Sequence, residues 1–245
     1  MSIDITAYKH HLALRERETA TVDKYCHALT HFATFLGDRP LTKEEVIAWK
    51  AELCSTLSPS TVNNYLSALN GYLEFVQRPD CRVSFLRVQR EVYREEGRDL
   101  TKAEYERIVS TARAAGHDRI ALIMETICAC GLRVSELRFE TVEAVKEKEI
   151  HVSLKGKNRT VFLPAKLRDK LHKWARQKGI KAGPIFVTRS GAPLTRQQIW
   201  RDMKAAARAA GVEESKVFPH NLRHLSAVEY YRLHRDIVKL ADILG

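Results

Sequence analysis

Apolar residues recur every three to four positions through the first part of the chain, the period of a helix with one buried face. Val22, Tyr25, Cys26, Leu29, Phe32, Ala33, Phe35 and Leu36 follow that rhythm. They predict a helix opening at Thr21, after Ala20, and ended by Gly37-Asp38-Arg39-Pro40. Thr42 with Glu45 three residues later predicts the next start as a capping box. Ser58-Pro59-Ser60-Thr61 opens a further helix carrying Val62, Tyr65, Leu66, Leu69, Tyr72 and Leu73. Residues 1–85 therefore read as a compact helical module without a catalytic constellation.

The pattern then changes. Arg87 to Asp99 is densely charged and poor in apolar residues, so 86–99 reads as an interdomain linker, or else as a solvated helix with internal salt bridges. A second domain, 100–245, begins where Thr101 and Glu104 repeat the capping signature. Helical spacing runs on to Cys130, where Gly131 breaks it. From Glu149 the period becomes two: Ile150, Val152 and Leu154 alternate with His151 and Ser153. A Gly156-Lys157-Asn158 turn leading into Thr160-Val161-Phe162-Leu163 and Pro164 predicts a hairpin with Lys155 at its bend. Helical spacing resumes near 165–178, 195–210 and 222–233. The predicted fold is mainly α, in two domains, with a small antiparallel β-sheet in the second.

Composition narrows the chemistry. The 245 residues carry 41 Lys and Arg against 30 Asp and Glu, a formal charge of +11. Such a surface attracts polyanions and releases their counterions on binding. Five cysteines (Cys26, Cys54, Cys81, Cys128, Cys130) include no CxxC pair and read as buried, reduced thiols. The N-terminus shows no basic-then-apolar leader, and Glu125 soon interrupts the apolar run at 120–124. A cytoplasmic protein that does not enter membranes is expected.

Two cationic clusters lie far apart in sequence. One is Arg133, in Gly131-Leu132-Arg133-Val134-Ser135-Glu136-Leu137; the other is His220-Asn221-Leu222-Arg223, followed by His224. Paired guanidiniums grip phosphate oxygens with planar forks, and an imidazole titrates near neutral pH. Lys155 and Lys157 at the hairpin bend add an ammonium. Singly, each has an ordinary reading: a surface arginine after a helix break, a solvated helix start, a soluble turn. Their order, spacing and predicted local structure together suit a phosphodiester.

These boxes resemble those of the tyrosine recombinases of the phage integrase family, in the Xer and transposon-integrase style. Residues 131–137 resemble its first arginine box almost letter for letter. Ser153-Leu154-Lys155-Gly156-Lys157, followed by Arg159 and Val161, resembles its catalytic-lysine hairpin. Phe218 to His224 resembles its His-x-x-Arg box, Leu240 to Gly245 the start of its third box, and Thr21 to Phe75, more loosely, its core-binding (SAM-like) helices. The resemblance implies site-specific DNA cleavage and rejoining through a covalent 3′-phosphotyrosyl intermediate, with no metal or nucleotide cofactor. It implies a partner of double-stranded DNA with paired half-sites, self-association into a tetrameric synapse, and a role in recombination or integration of a mobile element.

Carried over residue by residue, Arg133 and Arg223 would hold the scissile phosphate. His220 would share that contact with acid–base work, and Lys155, with Lys157 as competitor, would protonate the departing 5′-hydroxyl. Glu136 would orient a neighbour or serve as a structural carboxylate. Arg133, His220 and Arg223 are expected to converge on one phosphate-sized site with the hairpin at its rim, inside a two-domain clamp on duplex DNA. The family's nucleophilic tyrosine falls past Leu244-Gly245, so residues 1–245 are expected to bind DNA without cleaving it. Tyr230 and Tyr231 read as packing or DNA-facing residues, and Leu240, Ile243 and Leu244 as incompletely covered. A catalytically silent DNA-binding regulator and a type IB topoisomerase-like enzyme share the same residues and stay open.

Overall fold

The computed structural model describes residues 3–88, 97–154, 157–188 and 190–245. The chain divides into two units, Met1–Val92 and Tyr93–Gly245. Each is organised around its own cluster of buried apolar side chains.

The first unit packs α1 (Ile5–Leu14), α2 (Thr19–Leu36), α3 (Lys43–Thr56) and α4 (Pro59–Phe75). The stripe read from the sequence faces inward: Leu29, Phe32, Trp49, Leu66, Leu69 and Leu73 are fully buried. Burying each such side chain stabilises by roughly 1.5–3 kcal/mol before entropy is counted. Helix α2 starts at Thr19, two residues before the expected opening, with Glu18 at its cap. Ser58 caps α4 by accepting from the Thr61 amide, with Pro59 in the first turn. The capping box expected at Thr42 forms only in part. The Thr42 hydroxyl accepts from the Glu45 amide at 3.4 Å, whereas the Glu45 carboxylate turns to Arg39 at 2.6 Å. A charged partner outcompetes a backbone amide for that carboxylate.

Helix α1 lies so close to α4 that a Cβ added at Gly71 would meet the Tyr8 hydroxyl at 2.6 Å. Past α4, two asparagines treat the departing chain as a strand. Asn70 Nδ2 donates to Val83 O (2.9 Å) and its Oδ1 accepts from Val83 N (3.1 Å). Asn63 does the same with Leu86, at 2.9 and 2.8 Å. The first unit thus holds the chain through Leu86, one residue into the stretch read as linker. The most charged part of that stretch, 89–96, lies outside the described residues.

The second unit begins with α5 (Lys102–Ala114), opened by a complete Thr101–Glu104 capping box. Helix α6 (Asp118–Cys130) is the central element, apolar on nearly every face, and packs against α5, α8, α9 and α10. A 3-10 turn at Val134–Phe139 and α7 (Val142–Glu147) lead into the antiparallel pair β1 (Glu149–Leu154) and β2 (Lys157–Phe162). The register, Leu154↔Lys157 and Ser153↔Asn158, places Lys157 and Asn158 inside β2, not in the turn expected at 156–158. Pairing continues past them because Ile150, Val152 and Val161 are all buried on one face, which fixes the register.

Then follow α8 (Ala165–Gln177), α9 (Arg196–Ala209), α10 (Pro219–His234) and α11 (Ile237–Leu244). Helix α10 starts three residues before the expected 222, with Pro219 in its first turn, where a missing amide hydrogen costs nothing. His220 therefore lies on the helix and not before it.

Cys81 and Cys130 are buried, Cys26 and Cys128 half-buried, and Cys54 exposed, which departs from the reading of buried thiols throughout. Burial pushes the Cys128 thiol up to about 11, so it stays protonated. Among the described residues no His, Cys, Asp or Glu cluster is arranged to hold a metal ion, and no helix is long and apolar enough to cross a membrane.

Candidate active site

Gly131 ends α6 in the left-handed region at φ +60, a conformation that glycine adopts without a Cβ penalty. The sharp turn drives Leu132 into the core and releases Arg133 at the surface of the unit, 45% exposed. Three residues on, Glu136 is only 1% exposed, yet it is an ion-pair partner on two sides. Its Oε2 accepts from the Arg133 amide at 2.7 Å and its Oε1 from Arg133 Nη1 at 3.0 Å. Arg159 of β2 donates Nη2 to the same carboxylate at 2.6 Å. A buried carboxylate flanked by two guanidiniums is compensated; with either removed it would be a costly charge.

Arg223 arrives from α10, about one turn after His220. Its Nη1 donates to Gly131 O at 2.7 Å and its Nη2 to Leu244 O. Arg133 Nη2 donates to Gly245 O at 2.8 Å. Arg159 Nη1 reaches Ile243 O at 3.1 Å and also Leu244 O. Guanidiniums from three distant segments thus meet on consecutive backbone oxygens at the end of α11. Gly131 is part of the fit, since a Cβ there would stand 2.9 Å from Leu244 Cδ2.

Three guanidiniums against one carboxylate leave two positive charges in one place. The Gly131, Ile243 and Leu244 carbonyls orient the Arg223 and Arg159 forks without cancelling that charge, because they are neutral acceptors. Arg223 feels the result: burial, then the like charges of Arg133 and Arg159, push it down to about 10, with Glu136 working the other way. Arg159 is also lowered, chiefly by burial. At neutral pH Arg223, even so lowered, remains charged. A cluster with this surplus is a place for an anion, and fork geometry favours one with paired oxygens.

The structure brings Arg133, Glu136 and Arg223 together. His220 is exposed in the first turn of α10, three residues before Arg223 and so on the same helix face. Lys155 lies outside the described residues; the strands flanking it end in the Leu154↔Lys157 pair. Tyr230 is half-buried with its ring 4.5 Å from that of His234, and Tyr231 is 40% exposed under Arg235. Neither is among the buried core residues, and they sit about 10 and about 12 Å along the helix axis from Arg223 at 1.5 Å per residue. Leu240, Ile243 and Leu244 are half-buried, and α11 buries no residue fully.

Arg159 is the residue that the sequence reading gave no role. Its signal was present. On a period of two it shares a face with Val161 and Leu163, both buried, so it is an arginine at a core-facing position. The basic run Lys-Gly-Lys-Asn-Arg hid it among turn charges.

Comparison with known proteins decides the family. The model of the phage integrase family matches residues 98–245, and that of the phage integrase N-terminal SAM-like domain matches residues 5–79. The chain belongs to the phage integrase family. Among related members, tyrosine recombinase XerC of Roseiflexus castenholzii is 28% identical over 274 residues, covering 100% of this chain and 85% of its own. Tyrosine recombinase XerD of Caulobacter vibrioides is 30% identical over 211 residues, covering 77% of this chain and 68% of its own. Lambda integrase bound to DNA superposes with a TM-score of 0.79 at 20% identity, covering 100% of this chain and 91% of that structure. XerH recombinase bound to its difH substrate gives 0.74 at 19%, covering 94% and 75%. At such identities the structural likeness establishes the fold: a SAM-like helical domain followed by a mainly α integrase domain.

Proposed function

We propose that this phage integrase family member is a site-specific tyrosine recombinase that cuts and rejoins double-stranded DNA. Arg133 and Arg223 hold the two non-bridging oxygens of the scissile phosphate and stabilise the added charge of its pentacoordinate transition state. A tyrosine hydroxyl gives its proton to His220 and attacks phosphorus, the P–O5′ bond breaks so that the phosphate stays on the 3′-oxygen as a phosphotyrosyl ester, and Lys155 gives its proton to the departing 5′-oxygen. His220, on the Arg223 face of α10, shares the phosphate contact and the proton transfer. Glu136 is a positioning residue that fixes Arg133. One ester is exchanged for another of similar energy, so the scheme requires neither nucleotide nor metal. Tyr230 and Tyr231 are not the nucleophile, because both lie well along α10 from the arginines.

The observation that carries this reading is the convergence of Arg133 and Arg223, 90 positions apart, on neighbouring oxygens. On the substrate the reading requires paired half-sites, each bound by one copy of the chain, and assembly of copies into a tetrameric synapse. It places the protein with its DNA, in the cytoplasm.

Duplex binding across a salt series tests it. Each phosphate contact contributes about 0.9 to the slope of log affinity against log salt. R133Q and R223Q should each flatten the slope by about 1 and weaken binding roughly uniformly across sequences. Slopes identical to wild type in both variants would remove the phosphate assignment.

A further inference from the structure

We propose that Arg159 is a positioning residue that cancels the charge of Glu136 and so leaves the Arg133 guanidinium available to phosphate. The inference rests on the phosphate assignment above and adds a residue to it. Glu136 is a 1%-exposed carboxylate with two cationic neighbours. The Arg159 contact is shorter than that of Arg133, 2.6 against 3.0 Å, and Arg159 is the more shielded cation, 11% exposed against 45%. Burial strengthens the Arg159 pair relative to the other, since less solvent screens it. Arg159 therefore neutralises Glu136, and Arg133 keeps one nitrogen on the carboxylate for orientation and another turned outward, at present to Gly245 O.

Direct phosphate contact by Arg159 fits less well. Its Nη2 is engaged by Glu136, its Nη1 by two α11 carbonyls, and its Nε is buried without a hydrogen-bond partner among the described residues. The chain at Gly245 covers it, with Arg159 Cδ 3.0 Å and Nη1 3.1 Å from the place of a Gly245 Cβ. Its location explains why it stands on β2. The same strand starts two residues after Lys155, so the Arg159–Glu136 pair ties β2 to the turn bearing Arg133. Without Arg159 the buried carboxylate would face Arg133 alone and pull its fork inward.

The experiment is a double-mutant cycle on duplex DNA binding by the full chain, read as salt slope and affinity with circular dichroism as the folding control. R159Q should lower the slope by about 1 and weaken binding about tenfold at 100 mM salt, matching R133Q, and R133Q/R159Q should lose no more than either alone. R159Q/E136Q should recover at least half of the lost slope, because the uncompensated carboxylate is gone. R159K should stay within about threefold of wild type, a rescue by charge alone. A wild-type slope in R159Q, or a double variant R159Q/E136Q no better than R159Q, would overturn the proposal; the latter would make Arg159 a direct phosphate contact. If R159Q does not fold, R159K decides: affinity reduced by more than threefold overturns it. Loss of slope in R133Q but not in R159Q refutes this inference alone, whereas no loss in both R133Q and R223Q refutes the phosphate assignment beneath it.

Discussion

Glu140 shows how one side chain couples the fold of this protein to pH. It is wholly buried, Thr126 donates to its Oε1 at 3.4 Å, and its Oε2 has no hydrogen-bond partner among the described residues. Burial pushes its carboxyl up from 4.5 to about 8, so the folded protein holds a proton there that the unfolded chain releases. Where the unfolded state binds fewer protons, stability falls as pH rises. The contribution is complete below about 4.5 and is drawn down as pH climbs through about 8. Thermal melts of wild type from pH 5 to 9 should show that decline, and E140Q should flatten it; parallel curves for the two proteins would contradict this account. Tyr230, half-buried against His234, and Tyr231, exposed under Arg235, make the opposite kind of residue, outside the buried core. Y230F and Y231F should leave duplex affinity within about twofold of wild type. A nicked suicide duplex that traps a covalent adduct lost in either variant would show the nucleophile to be on α10.

At the scale of elements, the site depends on how α6 ends. Gly131 supplies the left-handed residue, the carbonyl that holds Arg223, and the clearance for Leu244. Alanine there would bear roughly 1–2 kcal/mol of backbone strain, and its Cβ would displace the Leu244 side chain. G131A should therefore be destabilised by about that amount in denaturant melts and should also lose phosphate slope, because Arg223 and the α11 carbonyls move together. Loss of stability with an unchanged slope would separate the helix end from the arginines. Helix α5 offers a simpler case. Its Thr101–Glu104 box is complete and exposed, so T101A should cost about 1 kcal/mol with no effect on DNA.

For the whole molecule, the two buried clusters share no residue, and the Asn63 and Asn70 clamps end the first unit's hold at Leu86. A fragment of residues 1–88 should fold by itself, giving a helical spectrum and one cooperative melt; an unfolded fragment would mean that its core is completed by the second unit. The charge of +11 predicts the collective behaviour. If the chain neutralises six to ten phosphates, duplex affinity should fall by about 10³–10⁵ between 50 and 200 mM salt. Affinity unchanged over that range would leave the cationic surface without a polyanion.

The sequence by itself determined the elements and the class of chemistry. Apolar spacing in α2 and α4, the caps at Ser58 and Thr101, the break at Gly131 and the alternation in β1 act between residues a few positions apart, so a linear pattern records them. It also determined which arginines to watch, because the two boxes are local motifs. It misplaced the hairpin turn, where buried Val161 set the register, and the half-formed box at Thr42, where Arg39 took the carboxylate. Only the tertiary structure decided what surrounds the arginines. Arg133 meets Gly245 across 112 positions, Arg223 meets Gly131 across 92, and Arg159 meets Glu136 across 23. No local period encodes such meetings; they follow from α10 packing on α6 and from β2 and α11 closing over the turn between them. Burial then fixed the charge balance, since solvent screening at each guanidinium depends on what covers it and not on its neighbours in sequence.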